Sequence, residues 1–328
     1  MILFRRNIET LEQLIALNGS ILTRGQALML GVDEEGGRVR RLRQITSDLP
    51  PMADVGATDD PKLAYRCGAI LGRELASLGF SINFAPILDV NTNPDNPVIG
   101  DRAFGDTPEH VVRMALPFAR GLQDMGVAAC GKHFPGHGDT DTDSHLALPV
   151  LDHDEHRLAT VELAPFRAAA ETDLASIMTA HVVIKAYNEE HPSTLDGRAL
   201  NILRRQYRFP GVIISDDLEM AAIADRYSMS EAVERGLEAG VDLFLVCRRR
   251  DRVEEAIEAV CRLAESPKTA AKVAAAAQRV EAMIGRYVGA PAAPNISDAR
   301  AILRRANLPE MRRASAGGID PTETAERV

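Results

Sequence analysis

The alternation of short apolar runs with amphipathic stretches constrains the fold of this chain more than any other feature. Seven runs rich in β-branched residues are each followed by a polar loop and a stretch with helical spacing. This order is typical of β/α units around a parallel sheet. The predicted strands are 2–4, 28–32, 81–90, 127–131, 175–183, 211–215 and 241–246, and the clearest predicted helices are 61–78, 108–125 and 268–287.

Polar residues at the ends of the predicted strands distinguish between two α/β architectures. Five different strands end at or just before a charged or imidazole side chain, namely at Asp33, Asp89, Lys132 with His133, His181 and Asp216. A barrel collects the carboxyl ends of all its strands in one mouth, whereas an open sheet places its site at one switch point. The sequence therefore predicts a (β/α)8 barrel.

Composition excludes several classes of function. The 328 residues carry 38 Lys and Arg against 47 Asp and Glu, a formal net charge of −9, which opposes binding to nucleic acid or to an anionic membrane. No apolar run near the start is long enough for a signal peptide or a membrane span. The four widely spaced cysteines match no zinc-site spacing and indicate free thiols. We expect a cytoplasmic protein.

The chain divides into two predicted regions. Residues 1–290 hold the strand and helix pattern and form the predicted barrel domain. Residues 291–328 form a C-terminal extension, and its end, from 312, is rich in Ser, Gly, Thr and charge, which is typical of a disordered tail. The sequence leaves the oligomeric state open.

A broken loop of fourteen residues, 132–145, holds the densest group of chemically active side chains. It contains three histidines, three aspartates and a lysine among Gly and Pro residues, which indicates a functional loop. Two chemistries remain open at this stage. Asp143 could orient His145 as a general acid/base. Alternatively, four side chains are suitable ligands for a divalent metal, namely His133, His137, Asp139 and Asp143.

A second candidate group lies where an apolar strand ends in two carboxylates, Asp216 and Asp217. A carboxylate in the mouth of a barrel suits a nucleophile or a group that stabilises an oxocarbenium ion. The competing interpretation is a helix cap, because Asp is a favoured N-cap and Glu219 follows Asp216 at capping-box spacing.

Two further segments carry arginines beside turns. Gly36 and Gly37 predict a tight turn, and the acids and arginines around it could offer a carboxylate and a guanidinium to ligand hydroxyls. The long loop 91–104 ends near Arg102, for which a salt bridge at the rim is the alternative role.

Four ordered motifs resemble those of the family 3 glycoside hydrolases. They are D-x-E-G-G-R from Asp33, N-P-x-I-G-x-R-x-F around Arg102, K-H-F-P-G-H-G-D-T-x-x-D-S-H from Lys132 and S-D-D-L-x-M around Asp216. The resemblance is closest to the single-domain bacterial β-N-acetylhexosaminidases of peptidoglycan recycling and extends over about residues 1–290. It implies a (β/α)8 barrel.

The resemblance also implies a mechanism. It assigns Asp216 as the nucleophile of a retaining enzyme, and Asp143 with His145 as the acid/base dyad, in place of the usual second carboxylate. No metal or cofactor is implied. The terminal N-acetylglucosamine of a carbohydrate substrate would be bound by five side chains, namely Asp33, Arg41, Arg102, Lys132 and His133.

Two departures from the family pattern affect these expectations. Glu34 stands where the family has Gln, which would add a negative charge near the mouth. The family also has a strand before the segment that matches 2–4, so we expect a barrel that lacks its first strand. A phosphorylase that transfers the sugar to phosphate, and an inactive sugar-binding barrel, therefore remain alternatives. The leaving group, whether an anhydromuramoyl sugar, muropeptide, chitobiose or glycolipid, is open.

Overall fold

A curled parallel sheet forms the centre of the molecule. The computed structural model describes residues 1–25, 27–140, 148–289 and 292–303. Within these ranges the sheet has seven strands, and each pairs in parallel with the next along the chain. They are β1 (Ile2–Leu3), β2 (Gly31–Val32), β3 (Ile82–Asn83), β4 (Ala128–Phe134), β5 (Ser176–Thr179), β6 (Val212–Asp217) and β7 (Leu243–Leu245).

All seven predicted runs contain a strand of this sheet, so the predicted α/β architecture is confirmed. The run 81–90 is the least accurate prediction, because only Ile82–Asn83 pairs as a strand there. Pro86 follows and has no N–H to continue the hydrogen-bond ladder. β1 and β7 are the edges of the described sheet, and Arg6 Nη2 donates a hydrogen bond of 2.8 Å to the backbone oxygen of Cys247 between them.

Helices connect the strands and cover the sheet. Helix Pro61–Ser77 begins after Asp60, which accepts a hydrogen bond from the Lys62 amide, and helix Pro108–Asp124 begins after Thr107. The other helices of eight or more residues are Leu11–Leu22, Met229–Ala239, Arg250–Glu265, Ala270–Tyr287 and Ile296–Leu303. Shorter α-helical segments are Met52–Ala57, Glu155–Arg157, Ala164–Ala170, Gly197–Asn201 and Ala221–Ala224.

Tighter and wider helical turns complete the connections. Residues Arg5–Asn7, Gly100–Arg102 and Ser193–Leu195 are 3-10 helices, and Leu158–Glu162 and Ile202–Gln206 are π-helices. Two short ribbons lie beside the carboxyl end of the sheet. One pairs Glu34–Gly36 with Val39–Arg40, and the other pairs Val150–Leu151 with Val183–Ile184.

The core fills both faces of the sheet. Helices Pro61–Ser77 and Pro108–Asp124 approach closely because Gly68 has no side chain, and a Cβ there would lie 2.0 Å from the Phe118 oxygen. On the other face, Met283 and Tyr287 of helix Ala270–Tyr287 pack against residues of β3 to β6. The described helices include none long and apolar enough to cross a membrane.

The C-terminal region returns to the start of the chain. Helix Ile296–Leu303 packs against helices Leu11–Leu22 and Pro61–Ser77, and Arg300 forms an ion pair with Glu12. The division at residue 290 therefore stays a prediction. The predicted tail, 312–328, lies outside the described residues.

Candidate active site

Lys132 links two carboxylates that come from another part of the chain. It lies on β4, and its Nζ is 2.7 Å from Asp33 Oδ1, just after β2, and 2.7 Å from Glu35 Oε1. Burial alone would lower the pKa of Lys132, but the carboxylates of Asp33 and Glu35 outweigh it, so the pKa is raised. The ammonium is therefore held in its charged form between the two acids.

Glu35 also binds Arg102. Arg102 Nε and Nη2 donate to the two carboxylate oxygens of Glu35 at 2.9 and 2.8 Å, and both side chains are 2% exposed. Burial would raise the pKa of Glu35, but Arg102 and Lys132 outweigh it and lower that pKa. The alternative role considered for Arg102 was a salt bridge at the rim. Arg102 does form a salt bridge, but this salt bridge is buried. Glu35 was not among the five predicted sugar-binding residues.

The predicted turn at Gly36 and Gly37 is confirmed. Both residues have positive φ, +107° and +56°, and a Cβ on Gly37 would lie 2.7 Å from the Pro51 Cα. Arg41 follows the ribbon that this turn closes, and it is 1% exposed.

Glu34 does not add its charge to the mouth, contrary to expectation. It is fully buried, and its carboxylate accepts hydrogen bonds from Arg40 Nε (3.3 Å), the Leu42 amide (2.9 Å) and Thr46 Oγ1 (2.8 Å). Burial raises the pKa of this carboxyl. The alternation of side chains along the ribbon directs Glu34 away from Asp33 and Glu35.

Asp89 organises the two histidines that follow β4. Its carboxylate accepts hydrogen bonds from the His133 amide (3.1 Å) and the His137 amide (2.8 Å), and His133 Nδ1 lies 2.8 Å from Oδ2. Burial would raise the pKa of Asp89, but His133 outweighs it, so the pKa is lowered. Burial lowers the pKa of His137 to about 4, which favours a neutral imidazole. Asp89 is therefore a positioning residue that the site prediction omitted.

The candidate metal ligands do not converge in the described residues. Asp139 Oδ2 lies 2.6 Å from His153 Nε2, and Asp139 Oδ1 accepts a hydrogen bond of 2.7 Å from Thr92 Oγ1, while His133 and His137 contact Asp89. Among the described residues, no group of three or more His, Cys, Asp or Glu side chains could hold a metal ion. Asp143 and His145 lie outside the described residues.

Asp216 and Asp217 end strand β6. Asp216 Oδ1 accepts a hydrogen bond of 2.8 Å from the Asp217 amide, and Asp217 Oδ1 accepts from the amides of Glu219 (3.1 Å) and Cys247 (3.2 Å). Burial, followed by the charges of Glu219 and Asp216, raises the pKa of Asp217 to about 7. The helix Ala221–Ala224 is preceded by Met220 and has no side-chain cap, so the capping interpretation is wrong.

His181 supports the same strand end. Its Nε2 donates a hydrogen bond of 3.0 Å to the backbone oxygen of Asp217, and its Nδ1 lies 2.8 Å from Thr194 Oγ1. The imidazole at the end of β5 therefore fixes the backbone beside Asp216.

Two thiols, the buried Cys130 and the partly buried Cys247, lie among the charges of the site. Burial raises the pKa of Cys130 to about 12, and the charges that act on this thiol include Lys132, Asp33 and Asp216. Burial also raises the pKa of Cys247, and Asp217, Asp216 and Asp33 raise it further. Asp33 follows β2 and Asp216 lies at the end of β6, so both are at the carboxyl edge of the same parallel sheet.

The curled parallel sheet and the charged network at the carboxyl ends of its strands define an enzyme of the α/β-barrel class. The family model described as the glycosyl hydrolase family 3 N terminal domain matches residues 1–283. The chain belongs to this family. It is a glycoside hydrolase and acts on a carbohydrate substrate.

Curated relatives refine the type of glycosidase. A β-hexosaminidase of Neisseria meningitidis serogroup B is 36% identical over 333 residues, which cover 99% of this chain and 88% of the relative. A β-hexosaminidase of Thiobacillus denitrificans is 39% identical over 264 residues, covering 78% of this chain and 73% of the relative. The chain is thus of the β-N-acetylhexosaminidase type.

Solved structures agree with this fold. The family 3 β-N-acetylglucosaminidase of a Paenibacillus species matches 99% of this chain with a TM-score of 0.83 and 38% identity, and this chain spans 61% of that enzyme's length. NagZ of Neisseria gonorrhoeae, in complex with N-trifluoroacetyl-D-glucosamine, matches 92% of this chain and 85% of its own, with a TM-score of 0.74 and 33% identity.

Proposed function

We propose that this chain is a retaining exo-β-N-acetylglucosaminidase that removes a terminal non-reducing N-acetylglucosamine from muropeptides or related β-glycosides. The observation that carries the proposal is the position of Asp216 at the carboxyl end of β6, with Oδ1 held by the Asp217 amide at 2.8 Å. A carboxylate fixed at a barrel mouth suits attack on an anomeric carbon. The hexosaminidase relatives support N-acetylhexosamine as the sugar.

In the first step, an Asp216 oxygen forms a bond to the anomeric carbon while the bond from that carbon to the leaving oxygen breaks. His145, oriented by Asp143, donates a proton to the leaving oxygen. In the second step, His145 takes a proton from water, whose oxygen displaces Asp216 and releases the sugar with its β configuration. The roles of Asp143 and His145 rest on the family resemblance.

The sugar would be held by polar side chains. Asp33 can accept hydrogen bonds from sugar hydroxyls while it also accepts one from Lys132, because a carboxylate offers about four acceptor positions. Lys132, Arg102, Arg41 and His133 supply the donors. Charge-assisted hydrogen bonds of this kind are directional, so they can select one sugar.

The cysteines support a reducing compartment, the cytoplasm, as the place of action. All four are free thiols, and Cys67 and Cys130 are buried. Disulfides form and persist mainly in oxidising compartments.

The test uses an aryl β-N-acetylglucosaminide, with wild type and Asp216→Ala compared. A fluorinated N-acetylglucosaminyl fluoride, which slows the second step, should leave an ester on Asp216 that peptide mass spectrometry locates. Wild-type turnover by Asp216→Ala would refute the nucleophile assignment. Tight N-acetylglucosamine binding without turnover would identify a sugar-binding barrel instead, and a sugar 1-phosphate formed in phosphate buffer would identify a phosphorylase.

A further inference from the structure

A cavity of about 350 Å³ opens beside the end of β6, between the loops that follow β6 and β7. The proposed hydrolysis does not use it. The apolar side chains that line it include Leu218, Ile223, Met229 and Ala232, and Tyr227 also contributes to the lining. The Tyr227 hydroxyl lies 2.9 Å from His191 Nδ1, which fixes the orientation of the ring.

Arginines are concentrated at the rim of this cavity. Three of its lining residues are the arginines Arg248, Arg249 and Arg252, in a chain whose formal net charge is −9. Glu219 also lines the cavity, but its carboxylate accepts hydrogen bonds from the amides of Arg248 (2.6 Å) and Arg249 (3.2 Å). Glu219 thus binds the backbone of the arginine segment and holds it in place. The three guanidinium groups supply the hydrogen-bond donors that a bound anion needs.

The guanidinium groups can exchange partners at small cost. Arg249 pairs with Asp251, and Arg252 pairs with Glu255 at 2.8 Å. The side chains of Arg249 and Asp251 are 61% and 55% exposed. Exposed ion pairs of this kind contribute little to stability, so a ligand oxyanion can replace the carboxylate partner. Arginine suits such a ligand because its planar fork binds carboxylate and phosphate through two hydrogen bonds.

The cavity lies within reach of the proposed nucleophile. Glu219 follows Asp216 by three residues, so their Cα atoms are separated by at most about 11 Å. The loops after the last two strands of α/β barrels frequently form phosphate sites. β6 and β7 are the last two strands of the described sheet. An anionic group carried by the leaving group of a bound glycoside could therefore reach these arginines.

We propose that this cavity binds an oxyanion, a carboxylate or phosphate, carried by the leaving group of the substrate, with Arg249 and Arg252 as its contacts. The proposal rests on the proposed glycosidase function, which it extends from the sugar to the group that leaves. Tyr227 and the apolar floor pack against the carbon skeleton that bears the anion.

The experiment compares two substrates that differ in one charge. These are the carboxyphenyl β-N-acetylglucosaminide and its uncharged carboxamide, assayed with wild type and with the double variant Arg249→Gln, Arg252→Gln. We expect kcat/KM for the carboxylate to fall by about tenfold, as two partly screened charge-assisted hydrogen bonds are lost. For the carboxamide, kcat/KM of the double variant should stay within about twofold of wild type, because substitutions at exposed positions have little effect on stability.

Arg205→Gln is the matched control. Arg205 is also exposed and lines a different cavity, with residues that precede β7 at the opposite end of the sheet. The Arg205→Gln variant should have the same kcat/KM as wild type for both substrates. Equal losses on both substrates in the double variant, or a selective loss in Arg205→Gln, would overturn the proposal. Failure of wild type to hydrolyse either substrate would contradict the glycosidase function instead.

Free phosphate is the other source of the same chemistry. If wild type treats the two substrates alike but forms a sugar 1-phosphate in inorganic phosphate, and the double variant does not, the cavity binds the co-substrate. That result would overturn the assignment to the leaving group.

Discussion

Arg102 binds Glu35 through two parallel hydrogen bonds, 2.9 and 2.8 Å long, at a point where both side chains are almost completely buried. The same carboxylate accepts from Lys132 at 2.7 Å. Glu35 therefore joins two of the proposed sugar-binding side chains into one rigid unit. Glu35 is a positioning residue, because its partners Arg102 and Lys132 are the side chains proposed to contact the sugar.

Replacing Glu35 with Gln should weaken both the fold and the site. The change leaves two buried cations with one fewer partner, so the free energy of unfolding should fall by about 3 kcal/mol. The substitution should also displace the hydrogen-bond donors of Lys132 and Arg102. We therefore expect kcat/KM for an aryl N-acetylglucosaminide to fall by about a hundredfold. Urea denaturation and steady-state kinetics measure the two effects. Arg38→Gln is the control, because its pair with Asp101 at 2.7 Å is more exposed. A Glu35 variant as active as this control would contradict the positioning role.

Asparagine substitutions should separate the roles of Asp216 and Asp217. Asp216→Asn should reduce kcat by a factor of about 10⁴ or more, because the amide is a poor nucleophile. Asp217→Asn keeps an oxygen that can accept from the amides of Glu219 and Cys247, so we expect its kcat within about tenfold of wild type. Initial rates with an aryl N-acetylglucosaminide measure kcat for both variants. The reverse order of the two rates would transfer the nucleophile to Asp217.

Glu74 should make stability depend on pH. It lies in helix Pro61–Ser77, and it accepts hydrogen bonds from the Ser47 amide (2.9 Å) and hydroxyl (2.6 Å), while burial raises its pKa from 4.5 to about 7. A raised carboxyl pKa favours the protonated form in the fold. The contribution of Glu74 to the free energy of unfolding is therefore fully present when the pH is below the carboxyl pKa of the unfolded chain. It is lost as the pH rises through about 7, the pKa in the folded protein.

The measurement is urea denaturation at pH 5 and pH 8. Glu74→Gln should gain stability relative to wild type at the higher pH, by at most about 3 kcal/mol. Glu258→Gln, at an exposed position of helix Arg250–Glu265, should show no such pH-dependent difference. An equal effect of Glu74→Gln at both values of pH would show that the carboxyl does not titrate in this window.

His153 should affect the rate of the chemical step. Its hydrogen bond to Asp139, 2.6 Å, joins the chain on either side of the segment that contains Asp143 and His145. His153→Ala removes this hydrogen bond and should misplace the acid/base groups. We expect kcat to fall by about ten- to a hundredfold with little change in KM. His156→Ala, at a nearby exposed position, is the control. A rise in KM alone would instead indicate a role in binding.

The strand order and the placement of Asp33, Lys132 and Asp216 were predictable from the sequence. Apolar runs identify the strands, and parallel strands bring their carboxyl ends to one edge. The shared role of Glu35 was not predictable, because its partner Arg102 is 67 residues away and nothing in the spacing relates them. Asp89 was recognised as a residue at a strand end, yet its three donors come from the folded path of residues 133–137.

The interpretation of Asp216 and Asp217 as helix caps failed for a related reason. Spacing alone matches a capping box, but the pairing with β7 continues the strand through Asp217 and delays the helix to Ala221. Similarly, Glu34 is adjacent in sequence to two residues of the site but faces Arg40, because successive side chains of a ribbon point to opposite sides.

The network of Asp33, Glu35, Lys132 and Arg102 contains two acids and two bases, so its formal charges cancel. An uncharged N-acetylglucosaminide approaching it meets many hydrogen-bonding groups but no net field from this network. Long-range steering, and with it any acceleration at low ionic strength, depends on uncompensated charge. This network therefore adds no electrostatic steering to the encounter with such a sugar, and it contributes to selection only after contact, through the geometry of its hydrogen bonds.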